Sequence, residues 1–376
     1  MGILTVMADR TPFRAAHAVG PDWARVVKAC AESLGVLTAD HTLGFIYVTE
    51  ALADDLSSVL AFLRQITRVE HWVGAVGMGV CACKTAYYRD AALSVMMAPL
   101  SPGSFQVMHT VQDKREVLEP AIQAWLADGK AGVAVIHGDP RNGRLPAVMD
   151  HLTRSTGGHL MGGLTATPRE RAQVADSLTG GGLSGVLLRA NLPVLTGLTQ
   201  GCSPIGPRRT ITASNGNILM TLDDRPALDV LKEDIGEALA RDLRRIAGYI
   251  HAGLPVDEDF LVRPLLGIDR NRGWIAIGVP VVRDMPLLFV HRDSNTAQTD
   301  LRRMVQALRR QADGNIRGAL YVSCIGRGPH MFGTEKAELA MISEELGDIP
   351  LTGFYANGEI SHSRLYGCTG VLTLFL

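Results

Sequence analysis

The chain has 376 residues, with 37 Lys and Arg against 38 Asp and Glu and a formal net charge of −1. That balance supplies no basic stripe for nucleic acid, and the length exceeds the roughly 250–300 residues at which a single core stops growing, so two domains are expected. Six scattered cysteines are too few for a secreted disulfide framework and favour a reducing compartment.

The start of the chain, Met1 to Arg10, lacks the charged lead and long apolar run of a signal peptide. Residues 1–39 read as an N-terminal extension and 40–224 as a first domain. Residues 44–49 read as a strand, after which Leu52, Leu56, Val59, Leu63 and Ile66 recur at helical spacing. Strand signals return at 72–80 and 91–98. Cys81-Ala82-Cys83 would set two thiols on one side of a strand, a weak zinc signal without a second pair. A strand at 132–137 ends at His137-Gly138-Asp139-Pro140, where Pro140 and Gly143 stop the run. A helix near 144–155 and strands near 159–163 and 183–190 follow. Asn215-Gly216, between Thr210-Ile211-Thr212 and Ile218-Leu219-Met220, predicts a type I′ hairpin, which needs positive φ at both central residues.

Residues 225–376 read as a second domain. It opens on an amphipathic helix carrying Leu231, Ile235, Leu239, Leu243, Ile246 and Ile250. Strands at 260–268 and 274–282 flank a loop from Asp269 to Gly273. Leu301, Met304, Val305 and Leu308 mark one helix; Leu339, Ile342 and Leu346 mark the next. The Arg-rich stretches Arg241 to Arg245 and Leu301 to Arg310 lie opposite apolar faces and read as solvated helix surface. No apolar stretch approaches the ~20 residues needed to cross a bilayer; Trp274 to Val282 is bounded by Arg272 and Arg283. A cytoplasmic protein without a membrane span is expected.

The chain resembles itself. Gly132 to Asp139 is similar to Gly318 to Cys324, Leu160-Met161-Gly162 to Leu351-Thr352-Gly353, and Gly185-Val186-Leu187 to Gly370-Val371-Leu372. A fainter third copy runs through Gly44 to Thr49, Trp72 to Ala75 and Ala91 to Met97. Duplicated units of this size predict an α/β or α+β protein of two related domains, each a mixed β-sheet with flanking helices, not a short-period solenoid.

Four motifs carry a family resemblance: Thr199-Gln200-Gly201-Cys202-Ser203-Pro204-Ile205-Gly206-Pro207, the run from Cys324 to Gly328, Gly353 to Ile360, and the closing Leu365-Tyr366-Gly367-Cys368-Thr369-Gly370-Val371. In order and spacing they resemble the FIST proteins, with a FIST N and a FIST C domain, from about residue 40 to the end. The resemblance implies an intracellular sensory protein that binds a small ligand, an amino acid or similar polar molecule, and one branch of the family implies a haem-based nitric oxide sensor. No kinase, cyclase or DNA-binding element accompanies the motifs, so signalling would pass to a separate partner protein. A homo-oligomer is left open.

The candidate ligand-binding residues lie where apolar strands stop at glycine and polar clusters. Gly326 and Gly328 would let a ligand approach the backbone beside Cys324, with Arg327 able to clamp a carboxylate in bidentate fashion. The alternative makes Cys324 a small buried hydrophobe and Arg327 an ion-pair partner. Glu359, with Asn357 and Gly353 on the same run, could bind an ammonium group; alternatively Asn357-Gly358 is a tight turn and Glu359 satisfies backbone N–H groups. Gly201, Cys202 and Gly206 would contribute from a crossing between the domains, in a cleft shared with the other two loops.

Phosphate-binding, nucleophile-elbow and zincin motifs are absent. A cysteine hydrolase or transferase could be assembled from Cys324, His330 or His362, and Glu359. The chain has no Cys-x-x-Cys-His for covalent haem. Noncovalent haem needs one axial ligand, for which His71, His137, His159 and His362 near predicted strand ends are candidates, although a histidine beside apolar residues is more often structural.

Overall fold

A computed structural model describes residues 11–166, 170–243, 248–256 and 259–376, which form four sheets. In chain order a first unit comprises β1 (Arg14–Val19), α1 (Trp23–Leu34), β2 (Leu43–Thr49), α2 (Leu56–Thr67), β3 (His71–Gly77), a hairpin of β4 (Gly79–Ala82) and β5 (Thr85–Tyr87), and β6 (Ala92–Ala98). A second unit repeats the order with β7 (Phe105–Val111), α3 (Pro120–Ala127), β8 (Ala131–Gly138), α4 (Leu145–Thr156), β9 (His159–Leu164), the hairpin β10 (Gln173–Ala175) and β11 (Ser177–Thr179), and β12 (Leu183–Arg189). A third unit begins with β13 (Val194–Gln200) and is then interrupted. The interruption holds β14 (Cys202–Asn215), β15 (Ile218–Leu222), β16 (Arg225–Pro226), α5 (Ala227–Ile235), α6 (Glu237–Ala240), β17 (Ile250–Val256), β18 (Asp259–Asp269), β19 (Trp274–Ile277) and β20 (Pro286–Arg292). The third unit resumes with α7 (Ser294–Ala312), β21 (Gly318–Cys324), α8 (Gly328–Phe332), α9 (Ala337–Leu346), β22 (Leu351–Ala356), the hairpin β23 (Glu359–His362) and β24 (Arg364–Tyr366), and β25 (Thr369–Phe375).

The three units share one strand order: β1-β6-β2-β3, β7-β12-β8-β9 and β13-β25-β21-β22. The last two strands of each series are parallel and the other neighbours antiparallel. Each hairpin leaves its own unit. β4–β5 extends the third sheet beyond β22, β10–β11 the first beyond β3, and β23–β24 the second beyond β9. This exchange runs round a closed ring, so the parallel edge of every sheet is covered by a neighbour.

One glycine per unit sets the spacing. Gly74, Gly162 and Gly353 lie opposite Ile46, Ile136 and Tyr321, and an added Cβ would stand 1.7, 1.8 and 1.8 Å from those residues' carbonyl oxygens. Taking these as equivalent aligns Thr49, Asp139 and Cys324 at the ends of β2, β8 and β21. Of the internal similarities, Gly162 with Gly353 is retained in register. Gly185 lies opposite Ile136 whereas Gly370 lies opposite Ser323, so that pair is offset by the ladder.

The inner faces of the three sheets meet in one core that includes Tyr47, Val135, Met161, Val322, Phe354 and Phe375. Their outer faces carry α1 and α2, α3 and α4, and α7 and α9. The strands are therefore buried on both sides, which is why residues 44–49 read as a continuous apolar run. α7 buries Leu301, Met304, Val305 and Leu308 while its arginines face outward. β1 and α1, within the segment read as an extension, belong to the first sheet and its outer layer.

The interruption forms the fourth sheet, β14-β20-β17-β18-β19-β15-β16, over its own core with α5. Two local expectations are corrected here. The amphipathic helix stops at Gly236 (φ 79), and Ile250 begins a strand; Ile246, with Arg244 and Arg245, lies outside the described residues. The β14–β15 turn is centred on Gly216 and Asn217, with Asn215 still paired to Ile218, and only Gly216 takes positive φ (58°). That geometry suits a turn with glycine first rather than type I′.

Gly353→Ala is expected to cost roughly 3 kcal/mol or more, the upper end of overpacking, because its Cβ meets backbone that cannot swing away. Gly267→Ala, whose Cβ meets nothing within 4 Å, should change stability by less than about 0.5 kcal/mol. Guanidinium denaturation of the two variants checks the difference.

Candidate functional site

β13 and β21 run in one direction with β25 between them in the other, and β22 runs parallel to β21. Gln200, Cys324, Ala356 and Thr369 therefore reach the same end of the third sheet. Beyond Gly201 the chain passes into β14, where Cys202 pairs with Arg292 of β20. Cys202, Val262, Leu288 and Val290 pack beside Cys368, so the fourth sheet roofs this end.

Arg327 is fully buried beneath the roof. Its Nε donates to Glu338 Oε1 at 2.7 Å, and Glu338 also accepts from Tyr321 Oη at 2.7 Å and Ser323 Oγ at 3.0 Å. Burial works against the charge on Arg327, but Glu338 outweighs it and holds the guanidinium protonated. Both Nη atoms remain buried with no hydrogen-bond partner among the described residues. Nη1 faces Gly201, where a Cβ would stand 3.5 Å away.

Glu359 is equally buried. Its Oε2 accepts from the Thr369 N–H at 3.2 Å and from Thr369 Oγ1 at 2.7 Å, while Oε1 has no partner among the described residues. Burial drives its pKa well above the carboxylate range, only partly opposed by Thr369 and Arg327. Arg292 donates from Nη2 to the Gly326 carbonyl and leaves Nε buried without a partner among the described residues. On the roof, neither ring nitrogen of His251 has a partner among the described residues, and burial, with Arg292, pushes that imidazole down to about 4.

The other units show the same places closed. Asp139, equivalent to Cys324, accepts from the Gly181 N–H at 2.9 Å and holds Arg141 through two side-chain bonds of 3.0 and 2.6 Å. Thr49 donates to Asp90 O at 2.7 Å and accepts from the Ala92 N–H at 2.9 Å. Gln173 sits one step past the Gly74 register, as Glu359 does past Gly162. Its Nε2 donates to Gly182 O and its Oε1 accepts from Ser184 Oγ, both at 3.0 Å. The side chains at these equivalent positions are satisfied in the first two units, although His137 Nδ1 and Thr165 Oγ1 near the second sheet's end have no partner among the described residues. In the third unit both a guanidinium and a carboxyl group keep unpartnered atoms.

Comparison with known proteins places the chain. The FIST N domain is matched over residues 42–225 and the FIST C domain over 227–362. The chain belongs to the FIST family. An uncharacterized protein of Mycobacterium tuberculosis is 30% identical over 342 residues, covering 86% of this chain and 88% of its own. Another, from Mycobacterium bovis, is 32% identical over 317 residues, covering 71% and 79%. FIST domains are associated with signal-transduction sensing. Among the described residues, no helix is long and apolar enough to cross a membrane.

The sheet end brings together Cys324, Gly326, Arg327 and Glu359 of the FIST C match with Gly201 and Cys202 of the FIST N match. Gly326 is held close, since a Cβ there would stand 3.5 Å from both Arg292 Nη2 and Cys324 Sγ. Gly328 starts α8, where an added Cβ would stand 3.8 Å from Tyr88 Oη. Gly353 is at the middle of β22 and serves the strand spacing. Asn357 is exposed at the turn between two sheets, its N–H on Leu164 O. Gly206 (φ 67) lies four residues beyond Cys202 against Asp234 of α5. Arg292, Glu338, His251 and Thr369 were not singled out from sequence; Thr369 and Cys368 lay inside the closing motif, which was the available signal.

The thiol of Cys324 is hydrogen-bonded to Cys368, not to a histidine. His330 Nε2 is 3.5 Å from Arg292 Nη2, and His362 packs on His159 with ring centroids 4.6 Å apart. The candidate haem ligands do not fit a haem. His137 is fully buried between Tyr47 and Phe354, with ring centroids 5.5 and 5.7 Å away, and its Nε2 is hydrogen-bonded to Tyr47 Oη at 3.2 Å. His71 is bonded to Asp176 at 2.9 Å, and His159 and His362 are exposed. Cys81 is buried in β4, while Cys83 (φ 52) leaves the strand and donates to Leu351 O, so the two do not share a strand face. Among the described residues no group of three His, Cys, Asp or Glu could hold a metal.

Removing Arg327 would leave Glu338 buried and uncompensated. Arg327→Ala is therefore expected to cost about 3–5 kcal/mol, whereas the double change Arg327→Met with Glu338→Leu recovers only part of it, because Tyr321 Oη and Ser323 Oγ then lose their acceptor. Denaturation midpoints of both proteins check this.

Proposed function

We propose that this protein is a cytoplasmic sensory protein whose ligand is a small zwitterion of the amino-acid class, bound at the end of the third sheet. The supporting observation is the pair of unpartnered Arg327 Nη atoms in the same buried site as the unpartnered Glu359 Oε1. Two parallel N–H groups of a guanidinium match a carboxylate. Glu338 holds Arg327 from behind, so the clamp is oriented before the ligand arrives. Glu359, fixed through Oε2 by Thr369, would receive the ammonium on Oε1. Gly201 and Gly326 pack closely, a Cβ at Gly201 standing 3.1 Å from Ala297 and one at Gly326 3.5 Å from Cys324 Sγ, so the ligand's atoms would be admitted only as the roof moves.

Both side chains are fully buried, so entry would require the fourth sheet to move relative to the third. That sheet is attached to the third unit through Gln200-Gly201-Cys202 on one side and the Arg292–Asp293 junction with α7 on the other. Ligand-driven displacement of the roof would be the signal, read by a separate partner protein. A cysteine hydrolase is less well supported, because Cys324 is bonded to another thiol and lacks an adjacent base.

Thermal-shift screening of the L-amino acids, followed by calorimetry, tests the reading. Glu359→Gln and Arg327→Lys, which retain size and fold, should each weaken binding by about 1.5–3 kcal/mol, or roughly ten- to hundredfold. No stabilisation by any member of the panel, or unchanged affinity in both variants, would sink the proposal.

The same site makes binding pH-dependent. The free site keeps Glu359 protonated above the usual carboxylate range, and an ammonium requires it ionised, so binding releases a proton. Affinity should rise up to about tenfold per pH unit until the pH passes the free-site pKa. Glu359→Gln should flatten that slope in calorimetric titrations across pH.

A further inference from the structure

The ligand reading does not use the two thiols at this sheet end, and they stand in an arrangement the rest of the fold does not need. The β21–β25 ladder closes at Ser323 opposite Gly370. One step further Cys324 faces Thr369, and Cys368 follows in the left-handed conformation (φ 61). There the Cys368 N–H donates to Cys324 Sγ, and the two sulfurs are themselves hydrogen-bonded. Cys368 thus lies one residue beyond the position directly across from Cys324, within reach of the thiol contact from which a disulfide forms. In the second unit the equivalent bond joins the Gly181 N–H to Asp139, so sulfur is not required to hold the strand ends together. Left-handed φ also favours glycine, which Gly181 (φ 85) provides and Cys368 does not.

We propose that Cys368 and Cys324 form a redox-active dithiol whose substrate is a small hydroperoxide, Cys368 attacking and Cys324 resolving. The two sulfurs are distinguished by their surroundings. Cys324 donates its proton toward Cys368, and that bond, with burial, pushes Cys324 well up. The same bond draws Cys368 below the ordinary thiol value despite burial, and Arg292 adds to the effect. Both are half-buried, unlike Cys30, Cys81 and Cys202. Burial pushes Cys202, the third thiol nearby, up to about 12 and keeps it protonated.

The Cys368 thiolate attacks the terminal oxygen of the hydroperoxide. The S–O bond forms, the O–O bond breaks, and the departing alkoxide takes a proton from water, leaving the alcohol and a sulfenic acid. Cys324 then attacks the sulfenic sulfur. The S–S bond forms, the S–O bond breaks, and water leaves with the thiol proton. Two thiols are oxidised and one peroxide is reduced; a small thiol restores the pair by exchange. The inference stands apart from the ligand reading, since it involves neither Arg327 nor the free oxygen of Glu359.

Treating the full chain with one equivalent of hydrogen peroxide and mapping its peptides by mass spectrometry tests it. One cross-link, Cys324 to Cys368, is expected, and it should persist in Cys202→Ala. In Cys324→Ser, dimedone should trap a sulfenic acid on Cys368; in Cys368→Ser, labelling of Cys324 should be at least about tenfold slower, following the thiolate fraction. Oxidation of the folded wild type without that cross-link would overturn the proposal, as would equal labelling in the two serine variants. Should either serine variant fail to fold, the wild-type map decides alone.

Discussion

The exchange of hairpins between units is the constraint on which the rest of this structure depends. A parallel pair such as β21–β22 leaves the outer strand with a row of unpaired backbone N–H and C=O groups. Each unit covers that row on its neighbour, not on itself, and the three exchanges close into a ring. No sheet is complete alone. The inner faces consequently share one core, and the glycines at 74, 162 and 353 let the parallel strands approach closely enough for that core to be filled.

The ring also assembles the candidate site. β23 leaves the third unit to pair with β9 of the second, yet its first residue, Glu359, still bonds Thr369 at the start of β25. A carboxylate that belongs to one sheet by its ladder thus belongs to another by its side chain. The same geometry in the second unit places Gln173, a neutral amide, with both of its polar atoms satisfied. Substituting an acid for an amide, and a thiol for Asp139, converts a structural joint into a site with polar atoms to spare. Leaving a buried polar group unpaired costs about 1–3 kcal/mol, more for a charged one. The proposed zwitterion would offset that cost on binding.

Much of the fold was legible because its signals are local. Strands buried on both faces read as unbroken apolar runs, and the helices α7 and α9 announced themselves through Leu301, Met304, Val305 and Leu308 and through Leu339 and Ile342. The paired glycines Gly162 and Gly353 carried the internal likeness, since only glycine tolerates a carbonyl so close. Other features escaped for physical reasons. Gly236 ended a helix whose apolar spacing continued into a strand at Ile250, a tertiary decision that periodicity cannot register. β1, Arg-Ala-Ala-His-Ala-Val, has little strand propensity of its own and is ordered by pairing with β6.

The candidate residues divide along the same line. Cys324, Gly326, Arg327 and Glu359 stood out because they lie at or just beyond the ends of apolar strands, and strand ends are visible in sequence. Arg292, Glu338 and His251 reach the site from other elements, through packing that no spacing encodes. Gly353 and Gly206 looked like the functional glycines and have structural contacts instead, because a glycine records only that something comes close. The sequence by itself determined the elements, the family and the repeated plan, all of which follow from the order of side chains along a strand or helix. Only the tertiary structure decided which of three similar sheet ends kept an unpartnered guanidinium and carboxyl group, because that depends on partners brought from distant segments by hairpin exchange and by the fourth sheet.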